Sequence, residues 1–182
     1  MKNSNKIECN NNNIEKNIKD TYNLLENKWN LWSHLPHDDD WSEKSYKKIY
    51  KFNYVEDVIT IINIIPEIIV NNSCLFIMKE NIFPMWEDKM NREGGCFSYR
   101  VSNKFVYQTW KELVYVLTGN TISDNEKFVL SVNGISISPK KHFCVIKIWM
   151  KTCDFQNPQV ITNQIKSLIP QSALFKIHVP EF

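Results

Sequence analysis

The segment "KFVYQTWKELVYVLTG", Lys104 to Gly119, is the strongest constraint on what this chain can become. Val106, Trp110, Leu113, Val114 and Leu117 recur at helical spacing and make one apolar stripe, and Gly119 is a natural stop. A helix with one stripe needs one broad surface to bury it. The other apolar segments supply that surface. "KWNLWSHL", "SYKKIYKFNY", "SCLFIMKE", "GCFSYRVS" and "ALFKIHVP" are short, rich in aromatic and β-branched residues, and read as strands. "EKFVLSVNGISIS" and "HFCVIKIWMKTC" read as two more, joined by "PKK". "VEDVITIINIIPEI" places Val55, Val58, Ile59, Ile62 and Ile65 at helical spacing, with strand as its alternative because of its β-branched content. "NPQVITNQIKSLIP" predicts a helix with Asn157 as N-cap, Pro158 in its first turn and Pro170 as terminator. Strands outnumber helices, and neighbours in sequence can pair antiparallel. The expectation is an α+β domain, a sheet with its helices on one face.

Composition narrows the function. With 182 residues and 43% hydrophobic content, one domain can bury a full core. Residues 1–20 are polar and low in complexity, so they are expected to be a disordered tail, leaving 21–182 as the domain. A net charge of +2 excludes a broad non-specific nucleic-acid surface but leaves room for a local basic pocket. The five cysteines form no CxxC, and no Cys/His set has zinc spacing. They read as small buried hydrophobes in a reduced, cytoplasmic protein. The N-terminus lacks the apolar core of a signal peptide, and no apolar run matches a membrane span. "HLPHDDD", His34 to Asp40, lacks calcium-loop spacing and reads as a solvated loop. No catalytic triad or phosphate-cradling glycine loop is visible. No enzyme activity, cofactor or metal is expected.

Trp29, Trp32 and Trp110 read as core or near-core residues. Trp41, Trp86 and Trp149 sit instead at loop edges, and Glu87 follows Trp86 directly in "NIFPMWEDKMNREGG". Two indoles can sandwich a planar ring, more strongly if the ring is cationic, because the indole face is negative. A carboxylate beside them can accept two parallel hydrogen bonds from a flat donor edge such as that of guanine. Lys140, Lys141 and His142 lie a few residues before Trp149 and could take phosphates as point charges. The ligand that uses all of these is an N7-methylated guanine carrying phosphates, the cap of messenger RNA. The blander readings are a tryptophan packed under a loop and a solvated "SPKKH" turn.

The same residues carry a resemblance. "PMWED" with the following Gly94–Gly95, "KWNLW", "KFNYVED" and "IKIW" resemble, in order and spacing, the eukaryotic cap-binding translation initiation factors of the 4E family. The similarity runs from about Leu25 to Val179. It implies a single curved antiparallel sheet with helices on its convex face and the cap slot on the concave side. It implies Trp41 and Trp86 as the stacking pair, Glu87 on the guanine edge and Trp149 against the N7 methyl group. Lys140 aligns with a family arginine and His142 with a family lysine, both used on the phosphates. Lys141 is adjacent but would point the other way on an extended chain.

Departures from the family pattern are equally specific. Val145 and Cys96 stand where the family is often basic, so the phosphate pocket looks diluted, and His142 would strengthen it as the solution turns mildly acidic. On the convex face the family docks a helical peptide from a scaffold initiation factor through a His-Pro pair, a valine, a tryptophan and two leucines. Here those positions read Asn23, Leu24, Val55, Ile59, Lys111 and Tyr115. Val55, Ile59 and Tyr115 are the residues expected to meet a partner, and the missing tryptophan predicts weak binding of the standard scaffold peptide. The chain reaches Phe182 soon after its last strand, so the family's mobile C-terminal loop is expected to be missing. The expected protein is a monomeric cap-binding factor in translation initiation. The alternatives are a cap-binding repressor with another partner, and a non-cap aromatic cage for RNA bases or a methylated lysine.

Overall fold

The structure, a computed structural model, describes residues 22–178. The expected polar tail at 1–20 lies outside the described residues. Seven strands form one sheet: β1 (Leu24–His34), β2 (Lys47–Tyr54), β3 (Cys74–Lys79), β4 (Gly95–Ser102), β5 (Val132–Pro139), β6 (Phe143–Met150) and β7 (Leu174–Ile177). The spatial order is β2-β1-β3-β5-β6-β4-β7, and every pairing is antiparallel. The sheet is curved, as expected for the α+β class. Its edges are blunted in different ways: β2 carries Lys47, Lys48 and Lys51, and β7 is only four residues long.

Alternation along each strand divides the sheet into two faces. Leu31, Leu75, Ile77, Phe97, Tyr99, Ile135, Ile146 and Ile148 are fully buried in one continuous core. Their sequence neighbours point the other way, where Tyr46, Cys74, Phe76, Met78, Ile82 and Trp149 form a second, smaller cluster. Helix α3 (Asn103–Thr118) covers the first face with the stripe read from sequence; Val106, Trp110, Leu113 and Val114 are wholly buried there. Helix α1 (Val55–Ile64) flanks it and buries Val58 and Ile62. The Asp57 carboxylate accepts the backbone N–H groups of Asn53 and Tyr54 and the Tyr50 hydroxyl, which fixes the turn from β2 into α1. Pro66 ends that run, and a separate helix, α2 (Glu67–Asn72), follows it. The larger face, with the helices, is convex. The smaller cluster lines the concave side.

Three local expectations are corrected. "EKFVLS" is helix α4 (Glu126–Ser131) rather than the start of a strand. Asn125 caps it by accepting the Phe128 N–H at 3.2 Å, and Phe128 is driven into the core. Strand β5 begins only at Val132. "NPQVITNQIKSLIP" does not form a helix. Asn157 does cap a turn at Pro158–Val160, but that turn is one short 3₁₀ piece, and Pro170 opens a second at Pro170–Ser172 instead of ending a helix. Ile161, Thr162 and Asn163 are weak helix formers, and the backbone here is claimed elsewhere: Thr162 N–H donates to the Ile122 carbonyl at 2.8 Å, and the Val160 carbonyl accepts from the Ser123 hydroxyl at 2.6 Å. Ile161, Ile165 and Leu168 still bury, as separate anchors of a strap across the core. Gly119 does close α3 as expected, without a left-handed angle; Asn120 adopts that conformation, at φ 56°. Finally, His34 is no part of a solvated loop. It ends β1 and is 1% exposed.

Candidate functional site

Trp41 and Trp86 are 48% and 40% exposed. An indole left half in water is a large apolar area without a covering partner. Trp41 lies in the loop after β1 and is not free to rotate, because its ring lies flat on His34, with centroids 3.9 Å apart and planes 4° from parallel. His34 Nε2 lies 2.9 Å from the Asp40 carbonyl, which can only accept, so Nε2 carries the proton. Nδ1 is left buried without a partner among the described residues. The His34 ring thus backs one face of Trp41 and leaves the other open.

Trp86 and Glu87 stand on the loop between β3 and β4, whose backbone is held by buried amides and a carboxylate. Asp88 accepts the N–H groups of Phe83 at 3.0 Å and Met90 at 2.8 Å. Asn91, fully buried, donates to the carbonyls of Phe83 and Met85. Asn133 from β5 donates to the Met90 carbonyl at 2.6 Å and to Asn91 Oδ1 at 2.9 Å. His178, after β7, closes the set: its N–H donates to the Gly94 carbonyl and its Nδ1 lies 3.0 Å from the Asn91 carbonyl. A Cβ on Gly94 would collide with the Met150 backbone, so only glycine lets the loop rejoin the sheet there. Within this rigid loop Glu87 is exposed and has no hydrogen bond or ion pair among the described residues.

The loop leaves the Lys79 end of β3 but folds back over the concave face. Phe83 packs edge-on against Trp32 at 4.9 Å and against Tyr46 at 5.4 Å. Tyr46 in turn contacts Trp41 at 6.2 Å and Phe76 at 5.5 Å. Burial, with help from the Glu87 charge and Cys74, pushes the Tyr46 hydroxyl up to about 12. Tyr46 therefore joins Trp41 and Glu87 into one neighbourhood. Trp149 belongs to its floor. It is 5% exposed, donates its indole N–H to the Ser136 hydroxyl at 2.9 Å, and meets Phe76 at 6.5 Å and His178 at 5.0 Å.

Lys140, Lys141 and His142 form the β5–β6 hairpin and are all exposed. Sheet register brings that hairpin to the His34 end of the sheet, since His34 pairs with Cys74 and Leu75 pairs with Ile137. Val55, Ile59 and Tyr115 gather on the other face. With Leu25, Val58, Thr118 and Gly119 they line an apolar groove of about 360 Å³ between α1 and α3. Lys111 is turned aside to Asn63 at 2.7 Å. A cavity of about 390 Å³ beside Phe105 and Thr109 lies on the helix side, away from the two exposed indoles.

Tyr46, Phe76 and Phe83 under the site, and Asn91, Asn133 and His178 behind it, do not stand out in the sequence, because they act through contacts far away in the chain; Asp88 acts locally, on Phe83 and Met90. Lys147 was within reach of that reading, because it shares the face of Trp149 two residues on.

The chain matches the family model for eukaryotic initiation factor 4E over residues 24–179. It is 28% identical over 155 residues to the translation initiation factor 4E of Candida albicans, covering 80% of this chain and 72% of that one. With the corresponding Dictyostelium discoideum factor it shares 27% over 153 residues, and it spans 59% of that protein's length. Among solved structures it is similar to C. elegans eIF4E-3 in complex with the 4E-binding protein Mextli and cap analog, with a TM-score of 0.74 at 23% identity, covering 86% of this chain and 93% of that one. Similarity at that identity speaks to the fold, and the family match, spanning nearly the whole described chain, settles the kinship: the protein belongs to the eukaryotic initiation factor 4E family.

Proposed function

We propose that this protein binds the 7-methylguanosine cap of messenger RNA and acts in translation initiation. The observation that carries this reading is the pair of half-exposed indoles, Trp41 and Trp86, on braced loops, with a Glu87 carboxylate that has no partner among the described residues. A methylated, cationic guanine enters between the two negative indole faces. Glu87 accepts the N1–H and the exocyclic amino group, a charge-assisted pair that fixes which base is held. Trp149 stays in the floor, so its part is contact by a ring edge with the methyl group. Family membership and the cap analog held by the nematode relative support the same ligand. The binding chemistry requires no catalytic group.

The convex groove is the proposed partner surface, as the 4E-binding protein on the nematode relative supports. Ile59 stands half-exposed in that groove where the family has tryptophan. That favours a second reading, a cap-binding repressor whose partner differs from the standard scaffold helix. Titration with m7GTP and with GTP, followed by intrinsic tryptophan fluorescence, tests the cap. Strong quenching by m7GTP and little by GTP is expected. Equal weak quenching by both would replace the cap with a general aromatic cage.

A further inference from the structure

We propose that Lys147 on β6 and Arg100 on β4 form the principal anion subsite for the phosphate chain of the capped nucleotide, ahead of the hairpin residues Lys140, Lys141 and His142. The inference rests on the cap reading above and adds the residues that hold its charge. Alternation places Val145, Lys147 and Trp149 on the concave face, because Ile146 and Ile148 between them are fully buried in the convex core. Across the β4–β6 ladder Ser98 pairs with Lys147 and Arg100 with Val145. Arg100 and Lys147 are therefore diagonal neighbours on one face, about 7–8 Å apart at their backbones and within joint reach of one phosphate group. Charge missing at Val145 and Cys96, where the family is often basic, thus reappears two residues along one strand and four along the other.

Among the described residues neither cation forms a salt bridge. No Asp or Glu occurs in β4, β5, β6 or β7. The salt bridge among the described residues, Lys51 with Glu80, lies at the β2 side of the molecule. Two like charges on one face favour a multivalent anion between them. Both are partly ordered already. Lys147 Nζ sits 5.8 Å from the Trp149 ring centre, and the Arg100 guanidinium sits 5.4 Å from that of Phe143. Lys147 is half-buried, so less of its side-chain freedom is lost on binding than at the exposed hairpin. Lys147 also adjoins the floor of the slot, where a phosphate chain leaving a stacked guanosine must begin, and its charge is felt by His178 behind Trp149.

The test titrates wild type, Lys147→Met, Arg100→Gln and Lys140→Met with m7GTP and with the uncharged-tail nucleoside 7-methylguanosine. Methionine keeps the apolar stem on Trp149, and circular dichroism checks each fold. Lys147→Met should lower m7GTP affinity about tenfold and Arg100→Gln several-fold, as for loss of a charge-assisted hydrogen bond. Lys140→Met should lose less, and nucleoside quenching should survive in both concave-face variants. Wild-type m7GTP affinity in both of those variants overturns this inference and leaves the cap reading standing. An equal loss for nucleoside and m7GTP overturns it too, since the effect would then lie in stacking. A wild-type protein that responds to neither ligand overturns both readings.

Discussion

At the scale of the residue, exposure and burial separate ligand contacts from supports. Trp86 contributes little to the core, so Trp86→Ala should leave the thermal midpoint within a degree or two, about the effect of a surface change. The same change should cut m7GTP affinity by about one to two orders of magnitude, the worth of a base–indole stack. A variant that unfolds early yet still binds would reverse the assignment. Glu87→Gln keeps the shape but puts an NH₂ group against the guanine edge. Calorimetry should show about a tenfold or greater loss with m7GTP and no change in folding, because Glu87 supports nothing else among the described residues. Trp149 behaves in the opposite way. Its replacement by alanine leaves Ser136 unpaired and empties the floor, and should cost about 3–5 kcal/mol of stability in a denaturant titration.

At the scale of the element, the Trp86 loop is a rigid part held by Asp88, Asn91, Asn133 and His178. Burial holds the His178 imidazole below its ordinary range; the Asn91 hydrogen bond pulls the other way, and the Lys147 charge adds to the lowering. A histidine with a lowered folded value binds fewer protons folded than unfolded. Its contribution is intact above the ordinary value of about 6.5 and is lost as pH falls toward the depressed one. Stability should therefore drop between neutral and mildly acidic buffer, and His178→Gln should flatten that part of the profile. A variant with the same slope as wild type between pH 7 and 5, as flagged by about one histidine's linkage, would assign the drop to another group. The corrected elements teach the same lesson. "NPQVITNQIKSLIP" has a cap, a proline and helical spacing, but its N–H and C=O groups find partners at Ile122 and Ser123, so it runs as a strap. In "DNEKFVLS" the Asn125 cap outweighs the strand character of the residues after it.

At the scale of the whole molecule, one sheet keeps the two proposed binding surfaces apart: the indole slot on the concave face and the groove between α1 and α3 on the convex one. The groove keeps Val55 and has Tyr115 in its wall, but Ile59 stands where the family has tryptophan, so it lacks that indole anchor. Fluorescence anisotropy with a standard scaffold peptide should show weak binding. Ile59→Trp should tighten it by about tenfold or more without altering m7GTP affinity. Ordinary tight binding by the wild type would mean that the groove manages without that anchor.

The sequence by itself determined the class of fold, because one apolar helical stripe among many short β-branched segments has few ways to bury itself. It also points to the proposed chemistry of the slot, since Trp41, Trp86 and Glu87 announce themselves as aromatic and acidic residues in loops, where packing does not call for them. Only the tertiary structure decided what makes those residues usable. Trp41 lies on His34 through a local fold of the loop after β1, but that Tyr46 and Phe83 bridge the two loops and that Asn91, Asn133 and His178 brace Trp86 depend on segments far apart in sequence lying side by side. The placement of Lys147 and Arg100 as neighbours has the same origin: alternation along a strand is written in the sequence, but the register between strands is fixed by packing across the whole sheet.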